Sequence, residues 1–376
     1  MIQLRGMTWD HPRGLDSVVN SDALLQERCG ISVKWDARSL LAFGDQHISE
    51  FYEDYDLMII DHPHVPDAVA ADAVVAFEEL ATPEQMAELA RTSVGQSHES
   101  YLYRGKHWSL AIDTAAQVSA YRPDKADHSP ALWSEVFELA RTGKLLWPYK
   151  PVDAFSTFAT LMAQHGKPLA ANGIYIDHSK AEEVLNFMIE LATLVPEICA
   201  TSNPIQTAEL LSTTDDYAYG VCMYGYSNYS RDNFRKRLLI YGEVPSFDGK
   251  ASGSQLGGAG VAVSSASKNK EAAALAAVTI SLPEIQATTY GLNAGQPGNV
   301  VAWRDPALNA ATHNFFANTL TTLERAWVRP RVLGWPDIQF ESSQVIYKAL
   351  VDRKVSSGTI REISDMYEKY VQEQIK

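Results

Sequence analysis

An Asp-His-Pro tripeptide occurs twice near the start of the chain, at Asp10-His11-Pro12 and at Asp61-His62-Pro63, and His64 follows the second copy. Each copy closes a short apolar run. Carboxylates and imidazoles at such places can ligate a divalent metal, relay protons or line a polar ligand cleft. The spacing matches no tight metal-ligand motif. The one supportive geometry is His62 and His64 on an extended segment, where both would point the same way. No metal site is expected. Cys222 lies in an aromatic strand-like run, and partners for a cysteine nucleophile need only be near in space. There is no G-x-S-x-G, and a buried cysteine that behaves as a small apolar residue is the plainer reading. No catalytic residue and no cofactor are expected. Gly257, Gly258 and Gly260 in "LGGAGVAVS" lack the P-loop pattern and precede a strand, so they serve close backbone approach rather than phosphate binding.

Aromatic rings beside hydrogen-bonding groups are the second kind of signal. "LLWPYK" carries Trp147 and Tyr149, "MYGYSNYSR" carries Tyr224, Tyr226, Asn228 and Tyr229, and "RVLGWPD" carries Arg331 and Trp335. Any one of these rings could simply be half-buried. As a set they describe a pocket that stacks flat apolar faces and hydrogen-bonds the rim. A pyranose has that character, with C–H faces and a belt of hydroxyls, and Asp, Asn, Gln and Arg suit the belt.

The elements that hold these residues alternate strand and helix through the first third. "IQLRGMTW" reads as a strand and "GLDSVVNSDALLQERCG" as one helix with Gly30 at its C-cap. "ISVKWDARS" is a second strand. "YDLMIIDHP" is a third, an unbroken apolar run typical of a buried parallel strand. Such alternation predicts a parallel sheet with helices on both faces, and ligands at the carboxyl ends of strands. Trp9, Asp10, His11, Arg38, Asp61 and His62 fall at those ends. "HWSLAIDTAAQVSAYRPD" reads as two strand-like runs interrupted at Asp113-Thr114. "SPALWSEVFELARTG" reads as a helix with Ser129 as N-cap, Pro130 at N1 and Gly143 as stop. The rest, from about Asn309 on, is mostly helical and broken at "RPRVLGWPD".

Composition bounds the class. At 376 residues, 46% hydrophobic and 21% charged, the chain is long enough for two lobes. The net charge of -14 disfavours nucleic acid and anionic membrane surfaces as partners. Three cysteines, Cys29, Cys199 and Cys222, form no C-x-x-C. No apolar run is long enough to span a membrane. The chain opens on strand-like residues rather than a secretory signal, which leaves a mature extracellular form and a cytoplasmic protein both open.

The order of these segments resembles the family-1 extracellular solute-binding proteins of ABC importers, the group that includes maltose-binding protein. "YDLMIIDHPHVPDAVAADAVVAFEEL" is similar to the family's third strand and following loop. "GKHWSLAIDTAAQVSAYRPD" is similar to its first hinge crossing, and "SPALWSEVFELA" to its Pro-x-x-Trp-x-Glu helix. "LGGAGVAVSSASKNKEAAALAAVTISLPEIQ" resembles its Gly-Gly strand and helix, and "RPRVLGWPDIQF" its C-terminal cleft segment. The resemblance spans nearly the whole chain. It implies an α/β fold of two lobes, each a mixed, mostly parallel sheet flanked by helices and joined by a hinge. One lobe would take residues 1–112 and 253–308, the other 113–252 and 309–376. By position it implies ligand contacts at Trp9, Asp10, His11, Asp61, His62, Asp113, Trp147 or Tyr149, Tyr224, Tyr226, Asn228, Gly257 and Gly258, and Trp335.

The histidine-rich loops depart from a typical sugar cleft, and the loop "NAGQPGNVVAW" adds Gln296 and Trp303. Histidine and Arg331 would suit an acidic sugar derivative as well as a neutral sugar. The function implied is capture of a sugar or sugar derivative by domain closure, without catalysis, by a periplasmic or cell-surface monomer that serves the transmembrane subunits of an importer. Two alternatives stand beside it: an enzyme on the same scaffold that uses Cys222 or the histidines, and a cytoplasmic ligand sensor.

Overall fold

Four consecutive apolar residues, Leu57 to Ile60, form a strand in which none is exposed beyond 1%. Side chains alternate faces along a strand, so such a run must be covered on both sides. The computed structural model shows that covering. Leu57 and Ile59 enter one apolar cluster with Leu4, Val33, Leu25 and Ala277, while Met58 and Ile60 enter another with Met7, Val65, Ala68 and Tyr101. The structure describes residues 1–39, 43, 47–171, 174–356 and 358–375.

The strands in chain order are β1 (Ile2–Trp9), β2 (Ile31–Arg38), β3 (Leu57–Ile60), β4 (Val74–Val75), β5 (Leu102–Tyr103), β6 (Lys106–His107), β7 (Leu110–Tyr121), β8 (Leu145–Leu146), β9 (Tyr219–Tyr224), β10 (Ile240–Gly242) and β11 (Leu256–Ser264). They belong to two compact units. The first comprises Met1–Ala115, Gly257–Ala311 and Arg331–Pro336, and the second Ala116–Leu256, Thr312–Pro330 and Asp337–Lys376.

In the first unit β1 pairs in parallel with β2 and with β3, and β11 runs antiparallel to β3. The adjacent carboxyl ends of β1 and β3 carry the two Asp-His-Pro sequences. In the second unit β9 is parallel to β8 and antiparallel to β7, and β10 lies antiparallel on the other side of β7. Trp133, Phe137 and Phe187 tie two helices of this unit together, Trp133–Arg141 and His178–Leu194, through edge-to-face rings 5.3 and 5.0 Å apart.

Local structure differs from the sequence reading at four places. The single helix expected after Gly14 is two, Pro12–Val19 and Asp22–Cys29. Asn20 and Ser21 cap the break by donating side-chain bonds to the carbonyls of Asp16 and Ser17. The two runs expected around Asp113-Thr114 are one continuous strand, β7, because the polar pair finds partners in place instead of turning to water. The helix expected from Ser129 starts at Trp133. Leu132 is held extended by bridging to Ser246, and Glu135 accepts the N–H groups of Ala131 and Leu132 at 2.7 and 3.1 Å. Finally, His62–His64 is a tight helical turn, not extended chain, so the two imidazoles do not share a face. Gly30 does close its helix in the left-handed conformation, at φ 67°.

Candidate functional site

In the first unit β1 ends on Trp9, buried over Gly14 and 5.0 Å from the Phe43 ring. A Cβ on Gly14 would lie within 2.7 Å of Trp9 Cε3, so only glycine lets the helix start so close to the indole. Asp10 is exposed, and its N–H donates to the Arg38 carbonyl across the strand pair. His11 is the N-cap of helix Pro12–Val19, and its Nδ1 accepts the Arg13 N–H at 3.1 Å. That bond requires Nδ1 to be unprotonated, so the ring proton of the neutral form sits on Nε2. After β3 the pattern repeats with different atoms. Asp61 is the N-cap, its Oδ1 accepts the His62 N–H at 2.8 Å, and the buried His62 ring stands edge-on to Tyr101 at 6.2 Å. In both copies proline occupies the first turn, where its missing N–H costs nothing.

Asp113 on β7 faces this loop pair. Its carboxylate takes two bonds from the Arg13 guanidinium, Nε to Oδ2 at 2.7 Å and Nη2 to Oδ1, and both side chains are at least 95% buried. Burial pushes the Asp113 carboxyl up, the Arg13 charge opposes this, and the nearby Asp61 charge adds to the rise. Arg13 is absent from the residues singled out in the sequence. Its signal was a cation in the first turn of a helix, where the macrodipole disfavours it unless a carboxylate answers. Next to Asp113, Thr114 exchanges bonds with Gln296: Thr114 N–H donates to the Gln296 carbonyl and Gln296 Nε2 to the Thr114 carbonyl, each at 2.9 Å. Gln296, 1% exposed, thereby pins its loop to β7. Gly258 on β11 adopts φ 133°, and a Cβ there would meet Thr114 Cα at 2.7 Å and the Asp113 carbonyl closer still. Arg331 is partly buried, which lowers its pKa against the opposing charge of Glu99. Trp335 is fully buried at the start of helix Trp335–Asp352, and the neighbouring Gly334 N–H donates to Asp67 Oδ1 at 2.9 Å.

The second unit supplies a different chemistry. Helix Pro151–Gln164 carries Asp153, Ser156, Thr157 and Thr160 at the i, i+3, i+4, i+7 spacing of one face, and all four are buried. Gln117 of β7 binds this stripe, accepting from Thr160 Oγ1 at 2.7 Å and donating to Thr157 Oγ1 at 3.2 Å and the Cys222 carbonyl at 2.9 Å. Trp147 is fully buried. Its indole N–H donates to Thr157 Oγ1 at 3.1 Å and its ring lies 4.9 Å from Tyr149, so both rings form a wall behind the helix. Gln255 Nε2 donates to Ser156 Oγ at 3.0 Å and to Tyr224 Oη at 2.8 Å. Gln255 Oε1 is buried without a hydrogen-bond partner, as is Asn228 Oδ1 in the turn after β9. Tyr226 is 7% exposed in the same turn region. Asp153, 9% exposed, makes no hydrogen bond or ion pair with any described residue, and burial lifts its carboxyl to about 8 against the opposing charge of Lys150. Sequence reasoning missed Asp153, Ser156 and Gln255. The available signal was four polar residues at helical spacing inside "VDAFSTFATLMAQ".

Cys222 sits where β9 bulges against β7, with φ 45°. It is fully buried and desolvation pushes its thiol well up, the opposite of an activated nucleophile. Among the described residues no three His, Cys, Asp or Glu side chains gather in a metal-holding group. No described helix is long and apolar enough to cross a membrane.

The model of the bacterial extracellular solute-binding protein family matches residues 50–316, well over half of the chain. The chain belongs to that family. Solved structures give the solute-binding protein the same fold. A maltose-bound MalE3 of T. maritima superposes with a TM-score of 0.82 at 17% identity, covering 98% of this chain and 100% of its own. An ABC transporter solute-binding protein of Agrobacterium radiobacter K84 in complex with ribitol gives 0.80 at 17% identity, covering 98% of each chain. One from Thermotoga lettingae TMO bound with α-D-tagatose gives 0.81 at 16% identity, covering 98% and 100%. At these identities the likeness establishes the α/β solute-binding fold. No curated protein sequence matches the chain.

Proposed function

We propose that this solute-binding protein is the sugar-capturing component of an ABC importer. It works in the periplasm or at the cell surface, as a monomer, and passes an unmodified solute to transmembrane subunits. The observation that carries the reading is the second-unit face on which Gln255 links Ser156 and Tyr224, while Gln255 Oε1 is buried and the Asp153 carboxyl is nine-tenths buried, neither with a hydrogen-bond partner among the described residues. Buried polar atoms are normally satisfied. A polyhydroxylated ligand would satisfy these, with Tyr224 and Tyr226 offering ring surface. The maltose, ribitol and tagatose in structures of the same fold support a carbohydrate.

In this reading Tyr224, Tyr226 and Asn228 are the candidate ligand contacts of the second unit, and Asp10, His11, Asp61 and His62, with Trp9 and Arg331 beside them, are those of the first unit taken by itself. Asp113, Gln296, Gly258, Trp147, Tyr149 and Trp335 hold the surrounding backbone and walls. The state of Cys222 favours binding without turnover. The test is calorimetry and thermal shift against a panel of mono- and oligosaccharides, polyols and charged sugars. A heat of binding with one of them, and its recovery unchanged by mass spectrometry, is the expected result. A panel without binding, or a ligand returned chemically altered, refutes the reading.

A further inference from the structure

The unpartnered atoms on the second-unit face share a sign. Asp153 offers a carboxyl that makes no hydrogen bond or ion pair with any described residue, and Gln255 offers Oε1, also without a hydrogen-bond partner. Both are nine-tenths buried or more. They belong to one face: Ser156, which takes the Gln255 Nε2 bond at 3.0 Å, is one helical turn from Asp153. The neighbouring hydroxyls are already engaged, Ser156 Oγ donating to the Val152 carbonyl at 2.9 Å and Tyr224 Oη receiving Gln255 Nε2 at 2.8 Å. Lys150, whose charge acts on Asp153, donates instead to Gln206 Oε1 at 2.8 Å. What remains on the face is the Gln255 Oε1 acceptor and one carboxyl that can carry a negative charge, inside the first turn of a helix that favours an anion.

We propose that this face is a subsite for a ligand ammonium, and that the solute is an amino sugar held through its amine on Asp153. The inference rests on the carbohydrate reading and narrows it. A neutral sugar can meet the protonated carboxyl only through a neutral hydrogen bond, and an acidic sugar would bring a second acid to the same face. A cation restores the ionised carboxylate, and a buried charge pair of this kind is where charge recognition is strongest. With the carboxyl raised to about 8, an ammonium that arrives at about pH 6.5 expels the carboxyl proton to buffer.

The experiment titrates the wild-type protein with glucose, glucosamine and glucuronate, and with the galactose counterparts, at about pH 6.5 in buffers of differing ionisation enthalpy. The amino sugar should bind about tenfold or more tighter than its neutral and acidic partners. Its apparent enthalpy should track buffer ionisation with release of close to one proton, and the neutral sugar should release none. Asp153→Asn should erase the amine preference. Because the proton count is read on the wild-type protein, a poorly folding variant leaves the test intact. A neutral or acidic sugar that binds as tightly, or an amine that binds without proton release, overturns the subsite while leaving carbohydrate capture standing. Absence of binding by all six while another sugar or polyol of the wider panel binds also overturns the subsite, and absence of binding across that whole panel contradicts the carbohydrate reading itself.

Discussion

Replacing Asp153 by asparagine should change stability in a way that depends on pH, and the size follows from the burial of its carboxyl. Burial moves that carboxyl from 3.8 to about 8. Between these values the folded state holds a proton that the unfolded state has lost. Stability therefore falls as pH rises through that window, and the penalty is complete above the folded value. At pH 7 the gap from the unfolded value is about three units, each worth about 1.4 kcal/mol, so the carboxyl costs about 4 kcal/mol relative to acid pH. Asparagine has no such proton. It carries a pH-independent cost of about 1–3 kcal/mol for a buried, unpaired amide. The ligand-free variant should be the less stable protein near pH 4, overtake the wild type between about pH 4.5 and 6, and be clearly the more stable by pH 8. Urea unfolding of both proteins, stripped of solute and run at half-unit pH steps, reads the difference, in which every other titrating group cancels. A difference that stays flat within about 0.5 kcal/mol across that range would show that the carboxyl is solvated or paired, and the reasoning would fail.

Three further outcomes follow from the geometry. Arg13→Leu strands the Asp113 carboxylate in a site that is 2% exposed, and urea unfolding should show a loss of about 3–5 kcal/mol. Gly258→Ala forces a side chain onto φ 133° and into the β7 backbone, so it should cost about 2–4 kcal/mol and lower Tm by several degrees, whereas an exposed substitution such as Asp16→Ala should not. Cys222 should resist iodoacetamide in the folded protein and react fully only after unfolding, in contrast to the half-buried Cys29.

The sequence carried the frame more plainly than the site, for physical reasons visible in particular residues. The apolar run Leu57 to Ile60 could only be a strand buried on both faces, and the paired Asp-His-Pro sequences do end adjacent strands. The solved solute-binding proteins similar to this chain share its fold. Asp113-Thr114 looked like an interruption because two polar residues in a strand usually mean a turn. Their partners, Arg13, Ser97 and Gln296, lie far away in the chain, and no local pattern announces them. Asp153 was hidden for a related reason. A polar stripe on a helix normally marks its wet face, and here Gln117, Gln255 and Trp147 come from three separate segments to bury it. Trp147 stood out as an aromatic beside polar groups; it is fully buried and its N–H donates to Thr157 Oγ1.

The central claim is that the protein captures and returns an unmodified sugar. It is tested most directly by denaturing protein purified from its native host and identifying the released small molecule by mass spectrometry. A single carbohydrate near one equivalent per chain is expected, bearing an amine if Asp153 is its anchor, and it should rebind to refolded protein with measurable heat. A released peptide, nucleotide or metal complex, or a solute that the protein chemically alters, would contradict it.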